Sequence, residues 1–348
     1  MFQQKSIIHF FAFIIILLLI SCSGGNKNAG QAENSVQEAP ANQIEINSEA
    51  KLLLNTLNEM GDYVNSRNFP SLIKSSSVYE ELDNNILIID LRNEEVFARG
   101  HINGAVNIDF SGLPEYFTKT IKPFEYDKII LVCYAGQIAS YATSLLRLAG
   151  YGNVYAMRWG MSGWNKKFAD ESWLDVVSSE YQDRLETTEQ DKAAVQDFPK
   201  LNTRKTSGEE ILQDRIDTLF AVGFTDALIK AKEVFEDPSK YYIINYDRKD
   251  KYESGHIPGA VRYKPGGTLG IVSEMQTIPP NREVVVYCGT GHNSGFVTAY
   301  LRLFGYDAKT LTYGNNAFMY DKMKEKESEL SWLPFSESEI QDYPFVSD

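Results

Sequence analysis

The chain has 348 residues, 43% of them apolar and 23% charged, with a formal charge of −13 at pH 7. That length suits about two domains, each large enough to bury a core of its own. So acidic a chain offers no basic stripe to displace phosphate counterions, which excludes nucleic acid as a partner, and an anionic substrate would have to be drawn in by local backbone dipoles.

The N-terminus reads as an export signal. Lys5 gives a minimal basic flank, Ile7 to Ile20 is almost wholly apolar, and Leu19-Ile20-Ser21-Cys22 has the form of a bacterial lipoprotein signal spanning 1–22, with Cys22 lipidated as the mature first residue. An uncleaved anchor is the alternative, but the apolar stretch is short for a span. Ser23 after the lipid cysteine leans towards the periplasmic face of the outer membrane. Membrane contact is therefore expected through the lipid, and residues 23–47, rich in Gly, Asn, Gln, Ala and Ser, are expected to form a disordered tether.

Beyond the tether the chain repeats itself at an offset of 155. Gly100-His101-Ile102-Asn103-Gly104-Ala105-Val106 returns as Gly255-His256-Ile257-Pro258-Gly259-Ala260-Val261, Cys133 as Cys288, and Leu146 to Tyr151 as Leu301 to Tyr306. A period this long is a whole domain, which gives domain 1 at 48–185, a linker at 186–215 and domain 2 at 216–348. Within copy one, Ile86 to Asp90 and Lys128 to Val132 are short β-branched runs of the kind buried parallel strands require, and Asn153 to Met157 reads as a third strand. Ser140 to Leu148 carries apolar residues at helical spacing and stops at Gly150. Copy two repeats the order with Tyr241 to Asn245, Glu283 to Tyr287, Phe296 to Phe304 and Lys309 to Thr312. The fold class is α/β, two tandem parallel sheets flanked by helices, each copy expected to fold by itself.

With Cys22 consumed, Cys133 and Cys288 remain. A disulfide between them would need equivalent points of two domains to approach within about 7 Å between α-carbons, so they read as separate thiols. Each directly follows a buried strand and precedes a short-residue loop before a helix: Tyr134, Ala135, Gly136, Gln137 and Ile138 in copy one, and Gly289, Thr290, Gly291, His292, Asn293 and Ser294 in copy two. Such a loop turns successive N–H groups toward the sulfur with the positive end of a helix dipole behind it, an arrangement that favours a thiolate or persulfide and a thiol more acidic than free cysteine. His292 reads as a partly exposed imidazole able to stabilise that anion or meet a donor, and Arg158 as a cation facing the copy-one loop. No His, Cys and carboxylate cluster has metal-ligand spacing, and no phosphate loop occurs, so neither metal nor cofactor is expected.

Taken together, Asp90-Leu91-Arg92, Phe97, the Gly-His-Ile turn, the Cys133 loop and Gly160-Met161-Ser162-Gly163-Trp164 resemble a rhodanese domain, and copy two resembles a second. The resemblance implies a sulfurtransferase: the cysteine takes sulfane sulfur from a small donor such as thiosulfate, 3-mercaptopyruvate or polysulfide, holds it as a persulfide and passes it to a thiol or cyanide. It implies structural roles for His101, His256 and the Asp90–Arg92 pair. Many rhodaneses carry two loop arginines; here those places hold Tyr134 and Ile138, and Gly289 and Asn293. Thiosulfate is accordingly disfavoured against low-charge donors. Cys288-Gly289-Thr290-Gly291 is similar to the loop start of mercaptopyruvate sulfurtransferases, which makes Cys288 the preferred catalytic residue, with Cys133 next. Copy one keeps the better scaffold, since Asn245 and Asp247 replace Asp90 and Arg92, and Asn315 to Met319 stand opposite Gly160 to Trp164. The rival reading is a non-catalytic binding or sulfide- and redox-sensing module. A phosphatase is excluded, because Ala139 and Ser294 stand where a phosphate-clamping arginine is required.

Overall fold

The computed structural model describes residues 48–271 and 274–348; the expected lipoprotein signal with Cys22, and the tether at 23–47, lie outside the described residues. Strands β1 (Leu72–Ile73), β2 (Ile86–Asp90), β3 (Val106–Asn107), β4 (Lys128–Val132) and β5 (Val154–Met157) form one sheet in the order β1-β5-β4-β2-β3. A second sheet repeats it with β6 (Leu228–Ile229), β7 (Tyr242–Asn245), β8 (Val261–Arg262), β9 (Val284–Tyr287) and β10 (Ala308–Leu311) in the order β6-β10-β9-β7-β8. All pairs are parallel, with Ile88 opposite Ile130 in the first sheet and Ile244 opposite Val286 in the second. Helices cover both faces of each sheet, so the central strands are buried on both sides, which is why they read as unbroken apolar runs. Among the described residues no helix is long and apolar enough to cross a membrane.

The repeat is not gapless in three dimensions. β9 and β4 keep the offset of 155, but Ala308 stands opposite Val284 where Val154 stands opposite Ile129, so the offset falls to 154 in the last strand. Gly160 is therefore matched by Gly314, not Asn315. Both glycines have positive φ, 57° and 54°. A side chain at either would run into the carbonyl of the preceding cysteine, Cys133 or Cys288. Copy two thus retains the glycine that the sequence comparison denied it.

The copies do not stand apart. Helix Gln137–Leu148 packs on its counterpart His292–Leu303 through small residues: a β-carbon on Gly295 would lie 3.0 Å from the Gln137 carbonyl, and Ser144 Oγ donates to the Phe296 carbonyl at 2.9 Å. Leu131, Leu145 and Leu146 of copy one belong to the same buried cluster as Val286, Val297 and Leu301 of copy two. Helix Ser48–Glu59 also packs on helix Gly208–Val222, which begins inside the expected linker.

The segments that follow each copy are exchanged. His101 trades backbone hydrogen bonds of 2.9 and 3.0 Å with Val346, at the end of copy two, while His256 trades bonds of the same lengths with Glu186, just beyond copy one. The tail adds Tyr343 stacked on Tyr79 at 4.0 Å and a 2.8 Å bond from Trp164 Nε1 to the Pro344 carbonyl. The end of copy one adds Tyr181 stacked on Phe235 at 4.5 Å. A cut in the linker would leave each half holding the other's extension and half of a shared core, contacts that the expectation of copies folding by themselves did not include.

Candidate active site

Cys133 and Cys288 directly follow the middle strand of their sheets, and the helix begins sooner than its apolar periodicity suggests, at Gln137 and His292. Only three residues separate sulfur from helix. The last of them, Gly136 or Gly291, takes a left-handed conformation, φ 85° and 78°, which a side chain would resist. The turn delivers amides to the sulfur: Gly136 N–H donates to Cys133 Sγ at 3.1 Å and Ala139 N–H at 3.5 Å. Around Cys288 the Ser294 and Thr290 amides play this part, and the Ser294 hydroxyl lies 3.7 Å from Sγ and 2.6 Å from Thr310 Oγ1. Copy one has Ala139 and Ala156 at those two places, so neither offers Cys133 a hydroxyl.

Both thiols are free and buried. Burial pushes both upward in pKa, against the pull of the loop amides, so the expectation of thiols more acidic than free cysteine is not met in this resting geometry. For Cys288 the Asp247 carboxylate adds to the rise. In copy one that place is taken by Arg92, whose guanidinium is locked to Asp90 at 2.6 Å and to the Gly100 carbonyl at 2.7 Å.

The two loops interlock through equivalent residues. Gln137 Nε2 donates to the Thr290 carbonyl at 3.2 Å, and His292, its counterpart, reaches the Ala135 carbonyl, the counterpart of Thr290, at 3.1 Å. Nδ1 of the same imidazole meets Thr290 Oγ1 at 2.7 Å. Its Nε2 also lies 3.2 Å from the Trp159 amide nitrogen. His292 is 1% exposed, and burial, with Arg158 nearby, pushes its pKa down to about 3. The imidazole is thus a neutral clasp between the copies, not the partly exposed group at Cys288 that its position in the loop suggests.

Arg158 is also relocated. It lines a cavity of about 150 Å³ over Cys288, the other copy's thiol, together with Asp247, Lys251, Thr290 and Asn293. Among the described residues it has no carboxylate partner. Pro70 and Leu72 of copy one close the apolar side. The cavity is small beside typical ligand pockets of about 300–1,000 Å³, which suits a donor of few atoms. Gly289 also borders it, with its amide directed at Asp247. Around Cys133, Ala135 is packed with Trp159, Trp173 and Phe335, while Tyr134 and Ile138 border an open groove of about 410 Å³ on the outer side of the loop. His101 and His256 hold their turns by bonds of 2.9 and 2.8 Å from Nδ1 to the Phe97 and Tyr252 carbonyls. Among the described residues there is no group of His, Cys and carboxylates that could hold a metal.

Sequence reasoning missed the interlock, Asp247 and Lys251. The available signals were a polar residue at the same place in both loops, Gln137 and His292, and charges four residues apart in copy two, Asp247 and Lys251, where copy one has Arg92 and Val96.

Two parallel sheets, each presenting a thiol at the end of its middle strand under a helix N-terminus, define a tandem α/β thiol protein. The Rhodanese-like domain profile matches residues 75–167 and 228–321, more than half of the chain, which therefore belongs to the rhodanese-like family. The chain is 28% identical over 101 residues to the thiosulfate sulfurtransferase GlpE of Ectopseudomonas mendocina, covering 29% of this chain and 89% of that protein. It is 26% identical over 118 residues to the tRNA uridine(34) hydroxylase of Acaryochloris marina, covering 33% of this chain and 36% of that one. Among solved structures it is similar to the 3-mercaptopyruvate sulfotransferase SseA of Escherichia coli, at 17% identity, over 69% of this chain and 97% of that chain, with a TM-score of 0.26.

Proposed function

We propose that this protein is a sulfurtransferase or persulfide carrier working through Cys288, with Cys133 secondary. The observation that carries this reading is the small cavity in which Cys288 meets Arg158 and Lys251 beside a helix N-terminus. A thiolate formed there attacks the transferable sulfur of a donor, and the persulfide then yields that sulfur to a thiol or cyanide. Arg158 supplies from copy one the cation that the loop lacks, so a small anionic donor, thiosulfate included, is accommodated after all. Turnover with cyanide as acceptor tests this. Arg158→Gln should raise KM for thiosulfate or 3-mercaptopyruvate about tenfold, the loss of one charge-assisted contact, and leave KM for uncharged donors alone. Equal effects on all donors would remove Arg158 from the site.

The rival reading, a binding or sensing module, draws on the burial of both thiols. It predicts no turnover with any donor. The same proposal places the mature protein on the periplasmic face of the bacterial outer membrane through acyl chains on Cys22, so Cys22→Ala should abolish its partition into detergent. Continued membrane retention of that variant would argue for an uncleaved anchor.

A further inference from the structure

We propose that Asp247 receives the Cys288 proton when sulfur is loaded and returns it to the leaving group, a role copy one cannot perform because Arg92 stands in that place; this rests on the sulfurtransferase reading above. Asp247 and Cys288 line the same small cavity. The carboxylate takes the Gly289 amide, the first after the cysteine, and Oδ2 lies 3.7 Å from where a Gly289 β-carbon would be. Its remaining ligands are few: Arg248 N–H at 3.0 Å and Lys251 Nζ at 3.7 Å. Lys251 is itself drawn aside over the Trp332 ring, 4.5 Å from the centroid. Burial pushes the carboxyl above its ordinary range. The charged and titratable groups around it are Lys251 and Arg248 from its own side, Cys288 and Tyr287 from β9 and its loop, Arg158 across the cavity, and Arg262 at the Asp247 carbonyl.

The step balances without an oxidant. Cys288 S–H passes its proton to the carboxylate; the thiolate bonds the outer sulfur of a donor R–S–SH; the inner S–S bond breaks with its electron pair on R–S⁻; and the Asp247 proton leaves with it as R–SH. Cys288 is left as the persulfide. Alkylation by iodoacetamide needs the thiolate but expels iodide, which takes no proton. The two reactions therefore separate a proton carrier from a mere like charge.

The test uses the full chain carrying Cys133→Ser, with inorganic disulfide as donor and peptide mapping at Cys288. Asp247→Asn, which keeps the side chain's size and one acceptor oxygen, should speed alkylation by removing the repelling charge, yet slow sulfur loading roughly 100-fold at neutral pH and flatten its acidic limb. Asp247→Glu should recover part of the loading rate. If loading accelerates together with alkylation, Asp247 is only a repelling charge and the proposal is overturned. If the Asp247-containing protein alkylates at Cys288 but takes no sulfur, the sulfurtransferase reading itself fails, and the proposal with it.

Discussion

His292 shows how one side chain can be read correctly in type and wrongly in role. In the unfolded chain its imidazole binds a proton near 6.5, whereas in the folded protein burial delays this to about pH 3. As pH falls through that window the unfolded state gains the proton first, so stability is lost on acidification. His292→Gln, which installs the residue copy one uses at the equivalent place, should keep a donor for the Ala135 carbonyl and remove this loss. By about pH 5 the variant should have lost about 2 kcal/mol less than the parent in denaturant unfolding. Equal acid losses would mean that the imidazole is not held neutral by the clasp. Cysteine identity, loop composition and the Gly-His-Ile turns were legible because each rests on a few adjacent residues. The bond from His292 to Ala135 was not, because it joins positions 157 apart in sequence.

At the level of elements, the middle strands were legible to within a residue, since burial on both faces leaves an unmistakable apolar run. The edge strands β1, β3, β6 and β8 are two residues each and carry no period to read. Helix starts were placed late because Gln137 and His292 are polar, although both are buried between the copies. The tail was not legible at all: nothing in Tyr343-Pro344-Phe345-Val346 points to a partner some 240 residues earlier, at His101. Deleting residues 342–348 strips Trp164 Nε1 of its acceptor and uncovers Phe168, which packs on Phe345 at 5.1 Å. The expected cost is about 3 kcal/mol. Hydrogen exchange should locate the loss, with faster exchange at residues 97–105 and none at 252–260. Uniform acceleration would show that the tail supports the whole molecule instead of copy one.

Across the whole molecule, duplication explains the architecture and divergence explains the site. Each copy builds the same loop, but only in copy two do the substitutions Asp247, Lys251, Ser294 and Thr310 surround the thiol, and only there does the opposite copy contribute Arg158. The shared core and exchanged extensions keep that composite cavity assembled. The repeat itself was legible in the sequence, whereas the assembly was not, because the helix crossing that joins the copies also uses small and polar residues such as Ser140, Ser144 and Gly295, which carry little apolar signal, and its apolar residues read equally well as each copy's own core. Intact mass of the full chain after exposure to thiosulfate, 3-mercaptopyruvate or polysulfide, followed by peptide mapping, tests whether Cys288 carries sulfur in that cavity. The expected product is a protein heavier by one sulfur atom, mapped to Cys288, lost in Cys288→Ser and reversed by cyanide. No mass gain from any of the three donors, while both thiols still react with an alkylating probe, would contradict it.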